Sequence, residues 1–308
     1  MSLAHAVAAA LLMVLGLPHP AQPAQLAVVT TTLDLQSLTE AVAGDTAQVT
    51  SLVPPGADAE EYEPRPGDLL RLRGASMLVR VGLGYDEWLD RLIAQHGNPS
   101  LARGGERQVD ASVGIPLLEV QGRSVELQSG GHAHGLANPH YWLDPANAEI
   151  ITSNIAAGLA HLAPEKAAVF AANRERFLGV LATRLAGWQQ QLAPYAGMAV
   201  VAYHNGWPYF ARRFRLNITA VIEPKEGVPP GPARLARIAA TMRDTGAHIV
   251  LIEPQTPREP AETLAATTGA RVAVLAGSVG GLPGANDYLS LFEADVNALL
   301  QALQQNEP

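Results

Sequence analysis

Glu60, His140, His204 and Asp287 are the side chains of this sequence whose types could together hold a divalent metal ion. Imidazole nitrogens and carboxylate oxygens are ordinary zinc ligands, and carboxylates also suit manganese. Each of the four falls after a predicted strand or in a Pro/Gly-rich loop. Ligands of open parallel sheets bind outside the carboxyl ends of the strands, so such places are favoured geometrically. The spacings of 80, 64 and 83 residues carry no local motif, unlike a His-Glu-x-x-His helix. Only a fold could bring these groups together. Glu61, Glu253 at a strand end, and His132 and His134 in the patch Gly130-Gly-His-Ala-His-Gly135 are secondary candidates. Each also has a plainer role. A strand-end His204 suits a partly buried hydrogen-bonding residue, and Glu60 with Glu61 suits a solvated acidic turn. Asp287 suits the N-cap of a helix predicted over residues 288–303.

The elements that must position them alternate in type. Apolar, β-branched runs at residues 26–32, 49–53 and 77–81 predict buried strands, with helices over 33–42, 67–73 and 87–95. A second set of strands is predicted at 198–203, 218–222, 248–252 and 271–275, with helices around 232–245 and 260–268. Alternation of this kind implies parallel sheets flanked by helices, and two sets imply two α/β lobes. Between them Phe170, Phe177, Leu181, Leu185, Trp188 and Leu192 recur on one helical face. Pro164 fits the first turn of such a helix, which would run ~42 Å, the length of a domain. The expected division is therefore a lobe over 26–163, a rigid backbone helix over 164–193 and a second lobe over 197–308.

Composition narrows the classes further. The chain has 308 residues, 48% of them hydrophobic and 16% charged, with a formal net charge of −8. Disorder is excluded by the apolar content, and nucleic acid is a poor partner without clustered Lys and Arg. The apolar run Leu3 to Leu17 is too short to span a bilayer and precedes Pro18, Pro20 and Pro23. It reads as a secretory signal peptide over residues 1–24. With no cysteine there is neither a lipid-anchor residue nor a disulfide, so a soluble, monomeric periplasmic protein is expected.

Several ordered segments resemble one family, the metal-binding receptors that feed ABC transporters of zinc and manganese. Pro55-Gly-Ala-Asp-Ala-Glu-Glu-Tyr-Glu-Pro64 is similar to a family loop reading Pro-Gly-x-Asp-Pro-His-x-Tyr-Glu-Pro, with Glu60 where the family has a ligand His. Val81-Gly-Leu-Gly-Tyr-Asp-Glu-Trp-Leu-Asp90 and Asn138-Pro-His-Tyr-Trp-Leu-Asp-Pro145 resemble two further elements, the second holding a ligand His. Tyr203-His-Asn-Gly-Trp-Pro-Tyr-Phe210, Ile252-Glu-Pro-Gln255 and Asn286-Asp-Tyr-Leu289 extend the likeness, which runs from Leu26 to Leu303. The resemblance implies two lobes with a metal in the cleft between them, held by Glu60, His140, His204 and Asp287. It further implies delivery to an inner-membrane ABC permease, with loading by a metallochaperone as an option at His132 and His134. Manganese-type members tend to carry Glu where this chain has His204, so Zn²⁺ is expected first and Mn²⁺ next. Glu60 is expected to be the weaker corner, with Glu60→Ala costing less zinc affinity than His140→Ala. Two rivals use the same cleft: a zinc hydrolase with Glu253 or Glu61 as base, and a receptor for an organic solute.

Overall fold

The computed structural model describes residues 25–119, 137–225 and 227–304. The expected signal peptide and the loop bearing His132 and His134 lie outside the described residues. The first lobe runs β1 (Leu26–Thr30), α1 (Leu33–Ala43), β2 (Ala47–Ser51), α2 (Pro66–Gly74), β3 (Met77–Arg80), α3 (Trp88–His96), β4 (Gln108–Asp110) and α4 (Ala148–Leu162). The helix α5 (Ala167–Leu192) follows. The second lobe runs β5 (Ala199–Ala202), α6 (Pro208–Phe214), β6 (Asn217–Val221), α7 (Pro232–Thr245), β7 (Ile249–Ile252), α8 (Arg258–Thr268), β8 (Arg271–Val274) and α9 (Tyr288–Gln304).

Each lobe is built on a four-stranded parallel sheet, ordered β2-β1-β3-β4 in the first and β6-β5-β7-β8 in the second. The strands β3, β5 and β7 are buried at every position. These runs are apolar apart from Arg80 at the end of β3 and show no polar alternation, which reflects helices covering both faces. In both sheets the chain winds one way from the central strand and then returns to wind the other way. That leaves a crevice at the carboxyl ends of β1 and β3, and a matching one at β5 and β7. Residues following both sets of strands line one common cleft.

Three elements differ from the sequence expectation, one of them the seven-residue α6, too short for a helical pattern to show. β4 has only three half-buried residues, too few for a periodic signal. The helix α4, with Ile151, Ile155 and Leu159 fully buried, was not anticipated either, although its apolar residues recur at helical spacing.

The 26-residue α5 is ~39 Å long at 1.5 Å per residue. Short 3₁₀ turns at Pro164–Lys166 and Ala193–Tyr195 extend it at both ends. Phe170, Leu181, Trp188 and Leu192 are buried on it, with Phe177 and Leu185 partly so. This face packs on α1 and α4 of the first lobe and on α9 of the second. The Trp188 indole N–H also donates to Glu293 on α9 at 3.0 Å.

Polar ties close the lobes on each other. Buried Asp144 pairs with Arg213 at 2.6 and 3.0 Å. Tyr288 donates to the Trp142 carbonyl at 2.6 Å, and Trp142 donates to the Gly277 carbonyl at 3.1 Å. Asp34 on α1 accepts from Ser278 at 2.6 Å and from the Val279 N–H at 2.9 Å. Asp295 on α9 accepts a short hydrogen bond from the Ala276 N–H. The segment after β8 is thus held by a buried acid from each side.

Burial raises Asp34 to about 6 and Asp295 to about 7, from an ordinary value of 3.8, with the backbone hydrogen bonds pulling the other way. Between the unfolded and folded values the native chain keeps protons that the unfolded chain has released. These two groups therefore contribute stability that is complete below the unfolded value and is lost as pH rises through 6 to 7. Urea unfolding of the metal-free protein should show this loss between about pH 4 and about pH 7, by up to ~1.4 kcal/mol per pH unit for each group, and a flat profile above. Asp295→Asn should flatten the profile. An unchanged slope in that variant would refute the assignment.

Candidate metal centre

Glu60 sits on the loop that follows β2, and local chemistry fixes that loop. The Asp58 carboxylate accepts from the backbone N–H of Glu60 at 2.9 Å, a turn that aspartate favours because its short side chain reaches the backbone two residues on. The Ala59 carbonyl accepts from the Trp88 indole at 2.9 Å. The Tyr62 ring packs edge-on against Trp88 at 5.1 Å, and its hydroxyl donates to buried Asp68 at 2.9 Å. An acidic, proline-punctuated loop has therefore become a rigid wall.

His140 and His204 are each oriented through the ring nitrogen that faces away from Glu60. The His140 Nδ1 lies 3.2 Å from Asn138 Oδ1, and its ring meets Tyr85 edge-on at 5.5 Å and Trp142 at 5.2 Å. The His204 Nδ1 lies 2.9 Å from Glu223 Oε2. An acceptor at Nδ1 selects the tautomer with its proton there, leaving the Nε2 lone pair for a ligand. Both Nε2 atoms turn toward one carboxylate. Glu60 Oε1 is 3.5 Å from His140 Nε2, and Glu60 Oε2 is 3.6 Å from His204 Nε2. The two rings are 5.2 Å apart at their centroids. One donor atom from each of Glu60, His140 and His204 falls within 4.8 Å of the others, and the three could hold a metal ion.

Gly206 makes room for this. A Cβ there would stand 3.2 Å from the His204 ring and 3.3 Å from the His140 ring, tight enough to push one of them. The surrounding cleft holds about 220 Å³. Glu60 and Glu223 bring two carboxylates beside the two imidazoles, so a bound dication would be charge-balanced.

The remaining sequence candidates fall differently. Asp287 is exposed and caps α9: its Oδ1 accepts from the Ser290 N–H at 2.7 Å and from the Ser290 hydroxyl at 2.9 Å. Among the described residues it neither lines the cleft nor joins the converging donors. The carboxylate is instead committed to free backbone donors at a helix start. Glu61 lies on the exposed rim, its carboxylate against Gly227 across the cleft. Glu253 lies deeper. It is 6% exposed, its Oε1 accepts from the Trp207 indole N–H, and its Oε2 has no hydrogen-bond partner among the described residues. Burial raises its pKa from 4.5 to about 7, against the opposing pull of His204 and Trp207. Sequence reasoning missed Glu223, although its position just past the predicted strand 218–222 is the same signal that found His204.

Glu223→Ala should weaken metal binding ~10- to 100-fold by freeing the His204 ring and its tautomer, the usual effect of removing a partner behind a ligand histidine. Competition titration measures it, and wild-type affinity in that variant would show that His204 needs no such support.

A two-lobed α/β receptor with an imidazole and carboxylate cluster in the interlobe cleft is the class defined by this fold and site. The sequence matches the family model of the periplasmic zinc-uptake complex component A, ZnuA, over residues 28–302. The chain belongs to the ZnuA family of periplasmic zinc- and manganese-binding proteins of ABC uptake systems. It is 28% identical over 255 residues to the high-affinity zinc uptake system protein ZnuA of Yersinia pestis, covering 78% of this chain and 79% of that one. It is 26% identical to the manganese-binding lipoprotein MntA of Halalkalibacterium halodurans, covering 91% and 89%. The iron-binding protein YfeA of Yersinia pestis is 24% identical, covering 90% and 86%. Among solved structures, a crystal structure of ZnuA superposes with a TM-score of 0.75 at 27% identity, covering 91% of this chain and 99% of that one. The protein is thus a metal-binding solute-binding protein of ABC uptake. Proteins of this family bind and do not catalyse, which removes the hydrolase reading.

Proposed function

We propose that this protein captures Zn²⁺ in the periplasm, between Glu60, His140 and His204, and hands it to an inner-membrane ABC permease. The observation that carries the reading is the convergence of those three donors, from both lobes, in one cleft. A second imidazole at position 204 favours zinc, which by raw affinity also outcompetes manganese at a given nitrogen and oxygen site. Glu60 pulls the other way, because a carboxylate in place of an imidazole adds a hard oxygen donor that suits Mn²⁺ or Fe²⁺. Ligands must be deprotonated, so capture weakens on acidification.

Competition titration of the metal-free protein with Zn²⁺, Mn²⁺ and Fe²⁺ tests both levels of this reading. The expected result is one ion per chain, with zinc bound tightest. Tight manganese or iron binding with weak zinc binding would overturn the zinc assignment, and binding of none of the three would overturn metal capture.

A further inference from the structure

We propose that Glu253 is the fourth protein donor of the ion, a role that rests on the cleft being a metal site. Zinc held by nitrogen and oxygen ligands is ordinarily four-coordinate, and Glu60, His140 and His204 supply three donors. Asp287 is spent on the α9 cap.

The other described carboxylates lining the cleft can be taken in turn. Asp58 accepts from the backbone of its own loop. Glu61 is on the exposed rim. Glu223 uses Oε2 on His204 and Oε1 on the Gly227 N–H at 2.7 Å. Glu253 differs from all of these. Its Oε1 is held by Trp207, while its Oε2 is buried with no partner among the described residues. A buried carboxylate oxygen without a hydrogen bond is costly to keep, and such a group calls for a ligand or a function.

The surroundings permit the role. Glu253 stands outside the 4.8 Å group formed by the other three donors, so ligation requires its Oε2 to turn inward. Gly277 leaves space for that movement. A Cβ at this position would lie 3.4 Å from Glu253 Cγ, and the backbone there has φ of +66°, a conformation that side-chain-bearing residues rarely adopt. The Trp207 indole holds one oxygen as a pivot and leaves the second to turn.

Zn²⁺ and the spectroscopic probe Co²⁺ test the assignment on the full chain. Glu253→Ala and Glu253→Gln should each bind Zn²⁺ at least ~10-fold more weakly than wild type, whereas Asp287→Ala should bind it unchanged. The ligand-field bands of bound Co²⁺ should shift in both Glu253 variants, a change that loosened packing alone would not produce. Glutamine keeps the shape and an acceptor for Trp207, so its unfolding curve verifies that the fold is retained. Wild-type zinc affinity together with an unshifted cobalt spectrum in both variants would overturn this inference and leave the three-donor site standing. Failure of the wild-type chain to bind either ion would overturn the metal reading of the cleft, and Glu253 with it.

Discussion

Replacing Glu60 with alanine is expected to weaken zinc binding by about two orders of magnitude, as much as His140→Ala does. Zinc held by four protein donors in small folded sites is worth roughly 10–16 kcal/mol, or about 3 kcal/mol per donor, which corresponds to about 100-fold in affinity. The sequence reading ranks Glu60 as the weaker corner, because a carboxylate stands where relatives place an imidazole. Its placement argues for equal rank. The Glu60 side chain is only 7% exposed, and its two oxygens face one imidazole each. A single residue thus joins the two histidine donors and supplies the only carboxylate among the three converging groups. Competition titration of Glu60→Ala, Glu60→Gln and His140→Ala side by side decides the matter. Less than a tenfold loss in Glu60→Ala, beside a large loss in His140→Ala, would restore the original ranking.

Arg80→Met is expected to destabilise the metal-free protein by about 3–5 kcal/mol, the usual result of removing one partner from a buried ion pair. Arg80 is fully buried at the end of β3. Its guanidinium donates to Asp86 at 2.9 and 3.1 Å and to Asp90 at 2.6 Å. Without it the Asp86 carboxylate, itself buried, keeps among the described residues only the backbone N–H groups of Val81 and Gly82. That charge then has no counter-ion, and its desolvation is uncompensated. The paired variant Arg80→Met with Asp86→Asn should recover much of the loss, since a neutral pair needs no counter-ion. Urea unfolding of the three variants measures the coupling. A single variant within about 1 kcal/mol of wild type would show that the pair stabilises little. The effect should also reach the cleft, because Tyr85, next to Asp86, packs edge-on against His140 and Trp142.

The parts of this architecture that repeat along the chain were legible in the sequence. Seven of the eight strands among the described residues announce themselves as short apolar runs, and α5 shows in the spacing from Phe170 to Leu192. The half-buried β4 carried no such pattern. Within the site, His140 and His204 could be picked out by their place after strands or inside a motif, and Glu60 by its position in the acidic loop. Asp287 shows the limit of that reasoning. A carboxylate in a matching segment and a carboxylate at a helix cap look identical in one dimension, and only the direction of the Ser290 N–H separates them. Partners such as Glu223 and Asp34 are settled by contacts across 19 and more than 200 residues, where no periodicity exists to be read.

The helix α5 has a thermodynamic consequence beyond spacing the lobes. Its buried face belongs to a hydrophobic core that runs without a break from Val28 and Leu35 through Phe170 and Trp188 to Trp207, Leu251 and Phe292. Proteins with separate domains commonly unfold in separate steps, since each core can be lost alone. Neither lobe can shed its share of that core without exposing part of the other's, while the second lobe adds a separate core of its own from Val201 to Leu264. The two lobes should therefore behave as one cooperative unit, melting in a single transition despite the cleft that divides their surfaces.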